Sequence, residues 1–424
     1  MVAVLGFSKE QIRSAVQDMY TLVARRPQTS LHFPVGRDAC LLAGYTEPQI
    51  ADLPDTALES FAGVGYPFRA EVIKPGDHVL DIGSGSGTDV LLAAQLVGET
   101  GKVYALDMTA AMREKLQQTL EQQQVGNVEI VEGDAENIPL PEASVDVVTS
   151  NGVLNLVPDK RRAIAEIFRV LKVDGQAQIA DIVIAKPVTP DCEDDPELWA
   201  ECVVGATVDE NYLHFFRDAG FEQVEVLRSY DYFAHSPSAE TQEVAKQFGA
   251  YALELRMRRP SEAPAKVVQW ARRFSPKRIA RNLQLRGLWG TVGLLLSAVA
   301  CYGTLAAVSL LSVLGVSMSI NEGVWAGAII AFALLATAVI VLGMRKHHSL
   351  KPVVLAIAGS ATLVYVMYVS YSVVLELVGF GLLGIATWLD YHLRRWSGVK
   401  HRKKRVPREA RGDALQVEQG SSGV

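Results

Sequence analysis

The chain has 424 residues, 49% of them hydrophobic and 21% charged, with a formal net charge of -6. Such a length suggests two or three domains, and so large an apolar fraction excludes a disordered chain. The net charge conceals two unlike halves: residues 1 to 255 carry 19 Lys+Arg against 40 Asp+Glu, net -21, and residues 256 to 424 carry 22 against 7, net +15. Four scattered cysteines (Cys40, Cys192, Cys202, Cys301) form no C-x-x-C pair, which excludes a disulfide-dense secreted scaffold and a zinc or redox motif of that kind. Reduced thiols and no metal site are expected. Lys9, Glu10 and Arg13 fall where a signal peptide needs its apolar stretch, so no cleaved leader is expected.

In the acidic half, "VLDI" at residues 79 to 82 has the pattern of a short buried strand. It runs directly into Gly83-Ser84-Gly85-Ser86-Gly87 and an apolar-periodic helix to Val97. The glycines let the backbone pass close to a ligand. A second strand, "KVYALD", ends at Asp107, 20 residues past the last glycine, where a carboxylate can accept from both hydroxyls of a ribose. Dinucleotide and S-adenosylmethionine sites share this geometry. The turn here reads D-x-G-x-G-x-G rather than G-x-G-x-x-G, and Asp81 before it suits a cationic cofactor while repelling a pyrophosphate.

Further along, "VEIVEGDAENIPLPEASVDVVTSN" supplies a third strand, Asp134-Ala135 to bracket an adenine edge, and a fourth strand ending at Asn151. A helix over Lys160 to Leu171, a turn at Asp174-Gly175 and the strand "QAQIADIVI" continue the alternation. The expectation is an α/β doubly wound, Rossmann-like domain with a mostly parallel sheet and its ligand at the carboxyl ends of the strands.

The ordered set resembles class I S-adenosylmethionine-dependent methyltransferases, and more closely the arsenite methyltransferase family, over roughly residues 15 to 230. The resemblance is carried by "CLLAGYTEPQIADLP", "HVLDIGSGSGTDVLLAAQLVG", "VYALDMTAAM", "VEGDAENIPLPEASVDVVTSNGVLNLVPDK" and "DDPELWAECVVGATVDENYLHFFRDAGF". It implies S-adenosyl-L-methionine as cofactor, with Asp81, Gly83, Ser84, Gly85 and Gly87 at the methionine end. Asp107 and Met108 would meet the ribose and adenine, Asp134 and Ala135 the adenine, and Asn151 would lie behind the site.

The same resemblance departs at the substrate. Where the family holds trivalent arsenic with cysteines, this chain reads Val64 in "FAGVGYPF", Gly152 in "SNGVLNL" and Cys202 in "ECVVGA". Two soft ligands of three are missing. Cys202, Cys40 and Tyr66 are the substrate-side candidates, and a trithiolate of Cys40, Cys192 and Cys202 is conceivable. No catalytic base is identified; His32, Tyr20, Tyr66 and His214 are candidates by residue type alone.

In the basic half no charge lies between Arg286 and Glu322, between Glu322 and Arg345, or between Lys351 and Glu376. Each gap holds the roughly 20 apolar residues needed to cross a bilayer. A fourth span is read at about Val373 to Tyr391. Ten Lys+Arg from Arg256 to Arg286, the Arg345-Lys346-His347-His348 cluster, and Arg394, Arg395 and the Lys400 to Arg405 run are placed in the cytoplasm by the positive-inside rule. One helix from Pro352 to Tyr391 would be about 60 Å long, twice the hydrocarbon thickness, so an outer turn near Ser370-Tyr371-Ser372 is expected. That makes two hairpins with both termini inside. Small residues such as Gly290, Gly293, Ala356, Gly359 and Ser360 suit close helix packing. Cys301 reads as a small filler, and Glu376, near the outer interface, as solvated.

This half resembles the four-helix MerC-type mercury-resistance membrane domain in helix count, orientation and the hairpin "MRKHHSLKPVVLAIAG". It departs at Ala300-Cys301, where that family carries a cysteine pair.

The expected organisation is a helical cap at 1–70, a cofactor-binding core at 71–235, a basic helical linker at 236–286, an all-α transmembrane bundle at 287–393 and a basic cytoplasmic tail at 394–424. The function expected is that of an inner- or plasma-membrane methyltransferase, with its catalytic domain cytoplasmic, acting on a small soft or apolar acceptor of the thiol, selenium or metalloid class. Alternatives are a quinone or lipid-headgroup methyltransferase, or a metal or metalloid permeation protein with a methyltransferase domain. The juxtamembrane basic segments suit anionic lipid rather than nucleic acid. Nothing fixes the oligomeric state.

Overall fold

The computed structural model describes residues 8–29, 31, 33–187, 205–261, 280, 283, 288–299 and 322–396. The chain divides into two compact units, residues 1–285 and 286–424. Cys192, Cys202, Cys301 and His32, the outer loop before Glu322, most of the basic linker and the tail past Trp396 lie outside the described residues.

The first unit opens with helix α1 (Lys9–Arg25), started by Ser8 and Gln11 in a reciprocal cap. Short helices α2 (Arg37–Ala43), α3 (Glu47–Ile50) and α4 (Asp55–Leu58) follow, then a 3-10 turn at Pro67–Ala70. The alternating core runs β1 (His78–Ile82), α5 (Thr88–Val97), β2 (Lys102–Asp107), α6 (Ala110–Gln123), β3 (Val128–Glu132), β4 (Val145–Asn151), α7 (Lys160–Val170) and β5 (Leu171–Ile184). After it come β6 (Thr207–Val208), α8 (Asp209–Ala219), β7 (Glu222–Tyr230), α9 (Ala239–Phe248) and β8 (Ala250–Arg258).

One sheet in the order β3-β2-β1-β4-β5-β8-β7, with β6 beside β5, holds the unit together. All pairs are parallel except those of β8, which runs antiparallel to both β5 and β7. The strand order reverses between β1 and β4. That switch point leaves a crevice at their carboxyl ends, where doubly wound folds hold ligands.

Two boundaries differ from expectation. The core does not end at 235: within the segment expected to be a helical linker, residues 250–258 form β8, which lies between two strands with Ala252, Leu253, Leu255 and Met257 buried. Its charged residues disguise it: Glu254 is itself buried and ion-paired with Arg69 and Arg228. At Asp174-Gly175 the chain bulges within β5 instead of turning before it, with Asp174 at a φ of 63°.

The second unit contains α10 (Trp289–Ala298), α11 (Glu322–His347), α12 (Lys351–Tyr368) and α13 (Val373–Trp396). Within the last three, Ala326–Arg345, Lys351–Tyr368 and Val373–Leu393 are long and apolar enough to cross a membrane. Residues 369–372 form the turn expected between α12 and α13. The helices meet through small residues: a Cβ on Gly359 would stand 2.9 Å from the Gly379 carbonyl oxygen. Thr337 and Ser360 hydroxyls bond across α11 and α12 at 2.7 Å. Large apolar side chains, among them Leu342, Val354, Val374 and Trp388, face outward, as helices solvated by lipid require. Glu376 is a correction: it is buried, and accepts a 3.1 Å hydrogen bond from the Tyr371 hydroxyl, so the helix contacts shield it from solvent.

Candidate functional site

At the end of β1 the chain enters the glycine turn, whose three glycines all have positive φ. A Cβ on Gly83 would lie 2.3 Å from Val153 Cγ2, while one on Gly85 would meet only the Gly83 carbonyl at 3.9 Å. The first thus permits close packing, and the second keeps open the space above the turn. Both have positive φ, 72° and 53°. The turn is bound to β2: Gly83 and Ser84 N–H groups donate to the Leu106 carbonyl at 2.7 and 3.0 Å. Asp107 at the end of β2 accepts from Gly85 N–H at 2.8 Å and from Thr109 N–H at 2.7 Å.

Above the turn lies a cleft that opens to solvent. All ten residues expected at the cofactor line it: Asp81, Gly83, Ser84, Gly85, Gly87, Asp107, Met108, Asp134, Ala135 and Asn151. Arg13, Val16 and Tyr20 of α1, together with Phe61, Met112 and Leu156, complete its walls.

The cleft is acidic, with three buried carboxyl groups. Burial pushes the Asp81 carboxyl well above the ordinary carboxylate range, and the charges of Asp89 and Asp107 push it further. Burial raises Asp89 to about 6, against hydrogen bonds from Tyr45 and Asn151 that favour its ionised form. Asp107 is raised by burial too, with the Thr109 and Gly85 N–H groups opposing. Among the described residues none of the three is in an ion pair. A bound cation relieves this repulsion, whereas a pyrophosphate adds to it. These residues therefore fit S-adenosylmethionine, whose amino and sulfonium groups are cationic.

The sequence reading missed a polar knot beside the turn. Tyr45 donates to Asp89, and Asn151 Nδ2 lies 3.0 Å from Asp89 Oδ2, 3.1 Å from the Tyr45 hydroxyl and 2.9 Å from the Gly65 carbonyl. Asn151 Oδ1 accepts from Val64 and Gly65 N–H at 2.8 and 3.1 Å. Asn151 thereby fixes the 63–65 loop at the rim of the cleft. Asp89, in the first turn of α5, was detectable as an acid at a helix N-terminus.

The loop brings Val64 beside Gly152, where a Cβ would sit 3.2 Å from Val64 Cγ1. The two positions that the arsenite methyltransferase resemblance pairs with cysteines are thus neighbours, and neither carries sulfur. Cys40 does not line the cleft; it is buried in α2, and burial together with the Asp89 charge pushes its thiol pKa upward. Tyr66 also lies off the cleft, its hydroxyl accepting from Gln49 and its ring packed on Tyr45 at 4.8 Å. Of the residues considered as a base, Tyr20 lines the cleft and His214 does not.

Fold and cleft together define a methyltransferase domain of the S-adenosylmethionine-dependent class. Residues 73–220 match the family model described as a methyltransferase domain, and residues 288–392 that of the MerC mercury resistance protein. An arsenite methyltransferase of Halobacterium salinarum is 38% identical over 183 residues, covering 43% of this chain and 46% of that protein. Another, from Aquipseudomonas alcaligenes, is 30% identical over 217 residues, covering 50% of this chain and 62% of that protein. The crystal structure of an arsenic (III) S-adenosylmethionine methyltransferase from Chlamydomonas reinhardtii aligns with 30% identity and a TM-score of 0.45, covering 52% of this chain and 74% of that one. The chain spans about half the length of the curated relatives it matches. A methyltransferase domain similar to those of arsenite methyltransferases is thus followed by a region that matches the MerC model.

When bound, the cofactor supplies an electrophilic methyl group on sulfur. Asp81, Asp107, Asp134 and the glycine turn would hold and orient it, and Phe61, Met112 and Leu156 would line the cleft beside it; in-line displacement asks little else of the protein.

Proposed function

We propose that the protein is a membrane-anchored methyltransferase whose acceptor is a small soft or apolar molecule of the thiol, selenium or metalloid class. The carrying observation is the adjacency of Val64 and Gly152: Gly152 lines the cleft with the buried Val64 side chain behind it, and neither position offers the sulfur of a chelating thiol pair that would grip trivalent arsenic. Phe61, Met108, Met112 and Leu156 continue the apolar lining. A thiolate or selenolate acceptor needs no protein base, in keeping with a rim that offers Tyr20 and no histidine among the described residues. Asp81, Asp107, Asp134 and the glycine turn would hold the cofactor. The catalytic unit and both termini face the cytoplasm, because the basic segments flank paired spans.

The test is methyl transfer from labelled S-adenosylmethionine by the purified protein, offered a small thiol, selenide, arsenite with glutathione, and a lipid extract of cells lacking the protein. The expected result is transfer to the thiol or selenide, with arsenite turned over slowly and independently of Cys202. Arsenite methylation at ordinary enzymatic rates, abolished by Cys202→Ser, would overturn the substrate reading. A labelled quinone or lipid product would assign the activity to the alternative acceptor class.

A further inference from the structure

Helix α1 forms one wall of the cofactor cleft through Arg13, Val16 and Tyr20, and its two halves are held differently. The second half is fixed to the body of the unit. Val23 and Ala24 are buried, Ser60 Oγ donates to the Val23 carbonyl at 3.1 Å, and Lys115 Nζ donates to that of Ala24 at 3.2 Å.

The first half buries Ile12 and Val16 in the same apolar core, and polar side chains tie it in addition to the opposite wall. Lys9 Nζ lies 2.9 Å from Asp159 and 3.6 Å from Glu136. Arg13 Nη2 is 2.9 Å from Glu136, and its Nε is 2.6 Å from Asp134. Gln17 Nε2 donates to the Met108 carbonyl at 3.2 Å. Arg13 and Asp134 both line the cleft, so this tie is part of the ligand site itself. Although close to Asp134, the buried Arg13 Nε has no acceptor along its N–H direction. That contact is therefore Coulombic rather than a directed hydrogen bond, and the guanidinium keeps donor capacity at the cleft.

We propose that Arg13 is a positioning residue for the cofactor: by latching α1 to Asp134 and Glu136 it holds the Asp134 wall in place and closes the cleft over its occupant. Breaking the latch then frees the Asp134 wall and speeds release, while the apolar contacts of Ile12, Val16 and Val23 keep α1 in place. Arg13 and Asp134 are partly exposed, so salt weakens their attraction. This inference rests on the cofactor reading of the cleft and not on the acceptor.

The experiment uses the full chain in detergent, loaded with tritiated S-adenosylhomocysteine and chased with unlabelled ligand at low and high salt. For the wild type, release should quicken about threefold or more between 50 and 500 mM NaCl, as loss of screening-sensitive contacts requires. Arg13→Ala should release about tenfold faster at low salt and lose most of that salt dependence. Arg13→Lys, which keeps the charge, should recover part of the retention, an effect a merely structural role would not produce. Gln17→Ala, at an exposed position, serves as a second and milder cut of the same tie and should speed release with the fold intact. Normal binding with release unchanged in Arg13→Ala and Gln17→Ala, or a wild-type rate indifferent to salt, would overturn the latch alone. No binding by the wild type would overturn the cofactor reading, and the latch with it.

Discussion

Asp107 has both carboxylate oxygens committed before any ligand arrives, one to Gly85 N–H and one to Thr109 N–H. It therefore sets the shape of the glycine turn, and in the proposed cofactor site it would also present charge to a ribose. Asp107→Ala removes both roles, and S-adenosylmethionine binding measured by calorimetry should weaken by at least ~1 kcal/mol. Asp81 and Asp89 act through charge. Their folded pKa values are raised, so their contribution to the stability of the ligand-free protein is fully present below the ordinary carboxylate range. It is lost as pH rises through the folded values, about 6 for Asp89. A cationic ligand reverses that penalty by favouring the ionised pair. The thermal stabilisation given by S-adenosylmethionine, less that given by S-adenosylhomocysteine, which lacks the sulfonium, should grow from about pH 5 to pH 7.5. Asp81→Asn should flatten the rise; a pH-independent difference in the wild type would refute this account.

At the scale of elements, β8 shows what an interior strand can conceal. Glu254 accepts from Arg69 Nε at 2.5 Å, from Tyr66 N–H at 3.1 Å and from Arg228 at 3.4 Å, and so ties the loop before β1 to the far side of the sheet. Glu254→Ala strands two guanidinium groups that are each about one-third exposed; with that exposure discounted, the loss should be about 2 kcal/mol in chemical denaturation of the methyltransferase unit. Glu254→Gln, which keeps an acceptor, should lose less. The β1 to β2 segment was legible because a short apolar run, broken only by Asp81, meets a glycine turn, and both signals are local. In β8 the charges of Glu254, Arg256 and Arg258 are neutralised by partners distant in sequence, so composition alone reads it as the start of a basic linker. The site divides the same way. Asp81, Asp107, Asp134 and Asn151 stand at strand ends in chain order, where the fold rule finds them. Tyr45, behind the cleft, and Arg13, in its wall, join the site through a hydrogen bond and an ion pair spanning 44 and 123 residues, which no local pattern records.

At the scale of the whole molecule, charge and hydrophobic length argue jointly for topology. The chain passes from a net charge of -21 in its first 255 residues to +15 in the remainder, and the positive charges cluster at the ends of apolar helices. Arg345 closes one apolar segment and Lys351 opens the next, so in the proposed topology residues 346 to 350 return the chain on the cytoplasmic side. The turn at 369–372 between α12 and α13 contains no lysine or arginine and lies one crossing away. A cysteine placed at Ser370 in a background lacking other reactive thiols should therefore be labelled by a membrane-impermeant maleimide applied to intact cells. One placed at Ser349 should be labelled only after the membrane is opened. Labelling at Ser349 with protection at Ser370 would invert the bundle, and would put the basic clusters on the side that the positive-inside bias disfavours. Equal labelling of both positions would mean that α12 does not cross the bilayer, leaving its outward-facing Val354, Ile357 and Tyr365 to be covered by protein instead of lipid.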